Sequence, residues 1–167
     1  MDKYLIVIVG PTAVGKTDLA IKLAQEFGIE IISADSRQFF KEMNIGTAKP
    51  TIEELKTVPH HFINSHSITE DFNVGDFEAV VLALLEKLFK NYNAAILTGG
   101  SGLYIKAVTD GFDVLPPLNI KIRNQLNALY NQEGLESIQK QLKVLDRDYY
   151  GQVDIKNPQR IIRALEI

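Results

Sequence analysis

The sequence contains no cysteine, which excludes thiol catalysis, disulfide bonds and any zinc site that uses a thiolate ligand. No apolar run approaches the roughly 20 residues that a membrane-spanning helix needs. The apolar stretch at residues 4–9 is also too short for a signal peptide. We therefore expect a cytoplasmic protein that does not bind membranes.

The charge balance is slightly acidic, because 18 Lys and Arg residues stand against 21 Asp and Glu residues, for a formal net charge of −3. This balance disfavours a role in coating polyanions, although it is compatible with a local basic site. With 46% hydrophobic and 23% charged residues, the chain has the composition of a globular protein. Its 167 residues can bury one core and leave room for a small appendage.

Three short apolar segments, rich in β-branched residues, predict parallel strands that are covered on both faces. They lie at residues 4–9, 29–33 and 94–98. A helical pattern follows the first of them up to Gly28, a second pattern ends near Asn91, and a third ends at Gly111. Between residues 34 and 74 the pieces are shorter, with one helix predicted to begin at Thr51. This alternation predicts an α/β fold with helices on both faces of a parallel sheet.

The pattern changes after Pro116, where two helices are predicted at residues 119–133 and 135–145 with no strand between them. Asn157 and Pro158 then predict the start of a last helix. We expect a core at residues 1–115, a helical insertion domain at 116–155 and a return helix to the core at 156–167. Because the last helix has no stop signal, we also expect the chain to be an N-terminal fragment of a longer protein.

The strongest motif is a phosphate loop, Gly-x-x-x-x-Gly-Lys-Thr, between the first predicted strand and its helix. In such a loop backbone N–H groups and the helix N-terminus hold phosphate oxygens, a lysine adds a full charge, and the threonine hydroxyl can hold Mg²⁺. The phosphate-binding residues are Gly10, Pro11, Thr12, Ala13, Val14, Gly15, Lys16 and Thr17, and Thr17 is the predicted metal ligand. The predicted fold is thus a P-loop-containing three-layer α/β core with a parallel sheet and a small helical insertion.

The identity of the phosphorylated ligand stays open at this point, because ATPases, GTPases, kinases and transferases that bind a diphosphate all use this loop. A nucleotide hydrolase normally has an aspartate at the end of a later strand, yet the strand at residues 94–98 ends in Thr98. Asp35 instead follows the second strand, so it should face the same site as the phosphate loop. It could accept a proton or support magnesium, or it could simply cap a helix.

Several other segments could line a catalytic site or serve ordinary structural purposes. The loop at residues 44–50 could be a lining or a surface loop, and the turn at 99–102 could approach a second substrate or be a tight turn. His60 and His61 are adjacent in a predicted loop, which favours hydrogen bonding over metal binding. Arg160 and Arg163 share one helix face, where they could bind phosphates or lie in solvent.

Taken together, these segments resemble the tRNA dimethylallyltransferase family, also called isopentenyl-tRNA transferases. The match covers most of the chain and keeps the family's order; Ser101 stands where threonine is commoner and keeps the hydroxyl. The matching segments are GPTAVGKT (10–17), SADSRQ (33–38), IGTAKP (45–50), PHHFI (59–63), GGSGLY (99–104) and NPQRIIRALE (157–166).

The resemblance implies transfer of a dimethylallyl group from dimethylallyl diphosphate to N6 of the adenosine 3′-adjacent to the anticodon of a tRNA. It implies Mg²⁺ as cofactor and catalytic roles for Asp35, Lys16, Thr17 and Arg163, with Asp35 as the base. The helical insertion would lie against the anticodon stem-loop, and the enzyme would be a monomer. The implied tRNA-binding residues are Asp35, Ser36, Arg37, Gln38, Ser101, Gln159, Arg160, Ile161, Ile162 and Arg163, and the Gln38 amide is able to hydrogen-bond a base edge.

Three other functions remain to be distinguished. A small-molecule P-loop kinase that uses ATP shares the phosphate loop but gives the segments SADSRQ and GGSGLY no specific purpose. An adenylate isopentenyltransferase performs the same chemistry on a free nucleotide, which would offer the insertion helices nothing to hold. A non-catalytic RNA-binding fragment is the third alternative.

Overall fold

The computed structural model describes residues 2–111, 116 and 119–167. The chain forms two compact units, Met1–Phe112 and Asp113–Ile167, which we call the sheet unit and the helical unit. The expected boundary after residue 115 lies outside the described residues.

The sheet unit contains four parallel strands in the order β1-β4-β2-β3. Their bounds are β1 Tyr4–Val9, β2 Ile31–Ser33, β3 His60–His61 and β4 Ala94–Gly99. The three predicted strands and the parallel arrangement are confirmed. The fourth strand, β3, was predicted to be a loop, because two histidines give no apolar or alternating pattern from which a strand can be recognised.

The first strand has contacts on both faces but one strand neighbour in the described sheet. Among the described residues β1 pairs with β4 alone, so it lies at an edge of the sheet instead of between two neighbours. Leu5 packs on the α3 and α4 side of the sheet and Ile6 and Ile8 pack on the α1 side, so both faces of the strand have contacts as predicted, although Tyr4 and Val9 at its two ends are 60% and 59% exposed. An apolar strand composition indicates a strand, but it does not give the strand's place in the sheet.

Helices cover both faces of the sheet, which confirms the three-layer α/β core. Their bounds in the sheet unit are α1 Lys16–Phe27, α2 Ile52–Thr57, α3 Val74–Asn91 and α4 Gly102–Asp110. Successive strand residues point to opposite faces: Ile31 and Ile96 pack with α1 residues, whereas Ile32 and Leu97 pack with residues of α3 and α4.

The helix ends follow local sequence signals. Gly28 ends α1 in the left-handed conformation, with φ of 62°. The predicted capping box at Thr51 is present, since its hydroxyl accepts from the Glu54 N–H at 3.2 Å. Asn73 forms a second capping box with Asp76 and starts α3 three residues before the first expected apolar position, Phe77.

The helical unit contains α5 Ile120–Glu133, α6 Leu135–Leu145, α7 Arg147–Tyr150 and α8 Pro158–Glu166. The two insertion helices and the Asn157 cap of α8 are as predicted, whereas the single turn of α7 was not recognised. Ile161 and Ile162 of α8 pack with Leu126, Ile138 and Leu142 of α5 and α6. The structure thus places α8 in the helical unit, which corrects the expectation that residues 156–167 belong to the core. Within the described ranges, no helix combines the length and hydrophobicity needed to cross a membrane.

Candidate active site

The phosphate loop connects β1 to α1, and parts of it have backbone conformations that few residue types adopt easily. Gly15 precedes the helix with φ of 88°, which glycine adopts without steric cost. Ala13 has φ of 67°, a strained conformation for a residue with a side chain and one that concentrates at ligand-binding sites. Lys16 Nζ donates to the carbonyl oxygen of Pro11 at 2.6 Å, so the ammonium group lies over the loop.

A cavity of about 310 Å³ lies beside this loop. Five of the eight predicted phosphate-binding residues line it, namely Thr12, Ala13, Gly15, Lys16 and Thr17; Gly10, Pro11 and Val14 complete the loop. Asp35, which follows β2, lines the same cavity together with Gln38 and Ala48, and Thr98, Gly99 and Gly100 add the end of β4. The structure therefore brings the phosphate loop and Asp35 together, as the position of both at strand ends predicted.

Asp35 is fixed by a turn and not by a helix, so the alternative that it caps a helix is wrong. Its Oδ1 accepts from the backbone N–H of Arg37 at 3.1 Å, and its carbonyl oxygen accepts from the N–H of Gln38 at 2.9 Å. An aspartate commonly closes a turn in this way. The other carboxylate oxygen, Oδ2, lies beside Gly100, where an added Cβ would be 3.6 Å away.

The ends of β2 and β4 are in direct contact at Ala34, the residue before Asp35. Ala34 N–H donates to the Thr98 carbonyl at 2.7 Å, and Ser101 N–H donates to the Ala34 carbonyl at 3.2 Å. A Cβ on Gly99 would lie only 2.3 Å from the Ala34 oxygen, so this position admits only glycine. The contact holds the two strand ends, and with them the cavity wall, in one arrangement.

Ser101 was predicted to contact tRNA, and the structure gives its hydroxyl a partner within the protein. The oxygen accepts from the N–H of Ser36 at 3.0 Å and lies 3.2 Å from the Ser36 hydroxyl. Ser101 thereby ties the turn after β4 to the segment that carries Asp35. A contact with RNA remains a prediction for both serines and for Arg37.

Gln38 does not have the free amide that reading a base edge requires. Its Oε1 accepts from the Ser33 hydroxyl at 2.9 Å, and its Nε2 donates to the carbonyl oxygens of Thr47 and Ala48 at 3.1 and 2.9 Å. Both amide hydrogens are therefore in use within the protein. A contact between this side chain and a base would have to replace these bonds, and the tRNA-binding role of Gln38 stays a prediction.

Lys49, in the polar loop at residues 44–50, is hydrogen-bonded to three oxygens of the protein. Its Nζ donates to the Phe40 carbonyl at 2.7 Å and to the side-chain oxygens of Asn44 and Asn64 at 3.1 and 2.6 Å. Desolvation lowers the pKa of Lys49, against the opposing charge of Glu42. The three acceptors use all three donors of the ammonium group, so the lysine fixes the loop, and Ala48 is the part that reaches the cavity.

The two histidines of β3 have separate hydrogen-bond partners. His60 Nδ1 is 2.9 Å from the Val58 carbonyl, and His61 Nε2 is 2.6 Å from a carboxylate oxygen of Glu30. Burial lowers the pKa of His60, while the Val58 carbonyl opposes that shift. Because neighbouring residues of a strand point to opposite faces, the two imidazole rings have different partners. This agrees with the predicted hydrogen-bonding roles.

In the helical unit, Arg163 takes part in an ion-pair cluster that the sequence did not reveal. Arg163 Nη1 and Arg123 both pair with Glu166, whose side chain is buried, and Arg163 Nη2 donates to the Pro116 carbonyl at 3.1 Å. Burial would raise the pKa of Glu166, but hydrogen bonds and charges from both arginines outweigh it and lower the pKa. No local motif connects Arg123 with Glu166, because 43 residues separate them.

The other predicted tRNA-binding residues of α8 divide by exposure. Gln159 and Arg160 are exposed and line a groove with Tyr149, where they are accessible to a partner. Ile161 and Ile162 are 0% and 1% exposed, so their side chains belong to the core of the helical unit. The tRNA-binding role of Ile161 and Ile162, which was predicted for the residues and not for their side chains, stays a prediction.

Comparison with known proteins gives a consistent result. The model of the IPP transferase family matches residues 38–167. A tRNA dimethylallyltransferase of Christiangramia forsetii is 53% identical over 167 residues, which are 100% of this chain and 55% of that protein. One of Flavobacterium johnsoniae is 51% identical over 171 residues, covering 99% of this chain and 55% of that protein. The chain thus spans about 55% of the length of these curated relatives.

Solved structures show the same likeness. A full-length tRNA isopentenylpyrophosphate transferase from Bacillus halodurans matches with a TM-score of 0.64 and 36% identity, over 99% of this chain and 55% of that one. A eukaryotic dimethylallyltransferase acting on tRNA matches with a TM-score of 0.82 and 29% identity, over 99% of this chain and 41% of that one. The resemblance indicated by the sequence motifs is confirmed.

Proposed function

The chain belongs to the IPP transferase family, and from this premise we propose that the protein containing it is a tRNA dimethylallyltransferase. The reaction moves the dimethylallyl group of dimethylallyl diphosphate to N6 of the adenosine 3′-adjacent to the anticodon and releases diphosphate. One observation carries the proposal: the phosphate loop and the Asp35 carboxylate line the same cavity. The transfer requires a site that binds the diphosphate leaving group and a group that accepts the proton of the amine.

The phosphate loop provides for the departing diphosphate. Negative charge grows on the leaving oxygens as the allylic carbon–oxygen bond breaks. Lys16 and the backbone N–H groups at the start of α1 are fixed close to where that charge develops, so they stabilise the transition state more than the ground state. The same groups would also bind ATP, so the loop alone does not distinguish a transferase from an ATP-hydrolysing enzyme. A hydrolase would need a carboxylate at the end of β4 to support water activation, and the residue there is Thr98.

Asp35 is the proposed base. The exocyclic amine of adenine is a poor nucleophile because its lone pair is conjugated with the ring, so its proton must leave as the new carbon–nitrogen bond forms. The turn at Arg37 holds one carboxylate oxygen of Asp35, Oδ1, and leaves the other beside Gly100 at the cavity. The target base must leave the stacked anticodon loop to reach it, at a cost of a few kcal/mol.

The donor set of the cavity fits a magnesium ion. Thr17 and Asp18 line it together with Asp35, and hydroxyl and carboxylate oxygens are the ligands that magnesium prefers. We propose that the Thr17 hydroxyl would hold the ion, with the Asp18 and Asp35 side chains in the same cavity lining. When bound, the ion supplies charge that offsets the negative diphosphate.

The helical unit is the proposed support for the anticodon stem-loop. The exposed residues Gln159 and Arg160 line a groove with Tyr149, and guanidinium and aromatic groups suit phosphates and bases respectively. The catalytic role of Arg163 also stays a proposal, as do the monomeric state and cytoplasmic location expected from the sequence.

The test uses the full-length protein. Isothermal titration should detect dimethylallyl diphosphate in the presence of Mg²⁺, with weak and unselective ATP binding. Single-turnover assays on an anticodon stem-loop RNA should then transfer the allyl group to the adenosine 3′-adjacent to the anticodon. Selective ATP binding with phosphoryl transfer would show a kinase instead, and transfer to free AMP but not to RNA would show an adenylate isopentenyltransferase. RNA binding with no transfer would leave the non-catalytic alternative.

A further inference from the structure

We propose that Gln38 is a positioning residue. Its side-chain amide holds the loop at residues 43–48 against the end of β2, and we call this set of hydrogen bonds the clamp. The clamp builds one wall of the cavity that Asp35 lines. The inference rests on the proposed function for its kinetic readout. It differs from the role expected by resemblance, in which this side chain would touch the RNA base. The contacts that carry it are all within the protein.

The orientation of the amide is fixed by its partners. The carbonyl oxygens of Thr47 and Ala48 can only accept hydrogen bonds, so the nitrogen Nε2 must face them, at 3.1 and 2.9 Å. The oxygen Oε1 then faces the Ser33 hydroxyl at 2.9 Å. Turning the amide toward a base would break these bonds and leave buried groups without partners, because Ser33 is 3% and Thr47 is 6% exposed.

The clamped loop is otherwise held in an unusual conformation. Gly46 and Ala48 have φ of 74° and 47°, both in the left-handed region, and an alanine there is strained. Thr47 Oγ1 donates to the Met43 carbonyl at 2.9 Å, which closes the turn on itself. The Gln38 amide connects this turn to β2, and Ala48 becomes part of the cavity lining as a result.

The same residue is coupled to the proposed base. The backbone N–H of Gln38 donates to the carbonyl oxygen of Asp35 at 2.9 Å, and its carbonyl oxygen accepts from the N–H of Asn64 at 3.0 Å. Gln38 therefore lies in the turn that orients Asp35, while its side chain supports the facing wall. A loosened amide would change the position of both groups relative to the substrate.

The test compares three variants of the full-length protein. Gln38→Leu removes the whole clamp, Gln38→Glu keeps the length and the acceptor but loses both donors, and Ser33→Ala removes one partner without altering a residue that lines the cavity. Gln25→Leu, on the exposed face of α1, is the matched control. Each is measured for single-turnover rate, for RNA dissociation constant, and for amide hydrogen exchange of residues 43–48.

We expect the rate to fall by roughly 10–100-fold in both Gln38 variants, since misplacing groups by about 1 Å can cost ~10²-fold. RNA affinity should stay within about threefold, and exchange at residues 43–48 should be faster. Ser33→Ala should change the rate and the exchange in the same direction by a smaller factor, and Gln25→Leu should change neither.

Weaker RNA binding with an unchanged single-turnover rate, or unchanged exchange of the loop, would overturn the proposal and return Gln38 to base contact. Ser33 is buried, so an effect of Ser33→Ala supports the clamp even if the Gln38 variants are unstable. The exchange measurement needs no catalysis. A wild-type protein without transferase activity would therefore refute the proposed function while still leaving the clamp open to test.

Discussion

Replacing Gly99 by alanine should damage both stability and catalysis through a single steric contact. The added Cβ would lie 2.3 Å from the Ala34 oxygen, 2.4 Å from the Ala34 carbonyl carbon and 3.0 Å from its Cα. All three atoms belong to backbone, so no side-chain rotation can relieve the clash. The ends of β2 and β4 must separate by roughly 1 Å to restore ordinary contact distances.

The cost follows from what holds these strand ends together. Overpacking of this kind costs about 1–3 kcal/mol. The Ala34–Thr98 and Ser101–Ala34 hydrogen bonds would weaken, at about 0.5–1.5 kcal/mol each. A total of roughly 2–6 kcal/mol should lower the melting temperature by on the order of 5–20 °C. Because Asp35 follows Ala34 directly, a displacement of about 1 Å should also slow transfer by ~10²-fold.

Differential scanning calorimetry and single-turnover transfer on the full-length protein would measure both effects. Gly102→Ala is the control, because its Cβ would meet no atom within 4 Å and alanine suits the start of α4. This control should keep the wild-type melting temperature, which is the comparison that isolates the steric contact. A Gly99→Ala protein that behaves like Gly102→Ala would refute the reasoning, since the two strand ends could not then be in contact.

Three further predictions concern single groups. Asp35→Asn should keep diphosphate binding by calorimetry and lose ~10²–10⁴-fold in transfer rate; a wild-type rate would remove Asp35 from the mechanism. Lys16→Ala should weaken binding of dimethylallyl diphosphate in the same titration, and unchanged affinity would mean that the loop does not hold it. The pKa of Glu166 is lowered in the folded state. Its ion pairs therefore contribute stability above the ordinary carboxyl pKa of about 4.3. That stability is lost as the pH falls through the pKa of the folded state. Glu166→Gln should lower the free energy of unfolding by about 1–3 kcal/mol near pH 7, a range that allows for the partly exposed arginines. In thermal melts the difference from wild type should shrink below pH 4. A difference that is the same at every pH would contradict the pairing.

The sequence alone determined the features that depend on neighbouring residues. A short apolar segment followed by a glycine-rich loop and a helical pattern predicts a strand, a phosphate loop and a helix. Capping residues such as Thr51 and Asn157 mark helix starts because they bond to N–H groups two or three positions away. The rule that ligands bind at the carboxyl ends of parallel strands then placed Asp35 beside the loop.

Tertiary structure alone decided which polar groups are free. Gln38 has the residue type and the position of a base-reading amide, yet its partners Thr47 and Ala48 lie nine and ten residues away. In the same way, α8 packs on α5 and α6, and among the described residues β1 pairs with β4 alone. These outcomes depend on contacts between segments distant in the chain, and local spacing does not encode them because hydrogen bonding and burial are satisfied only when those segments meet.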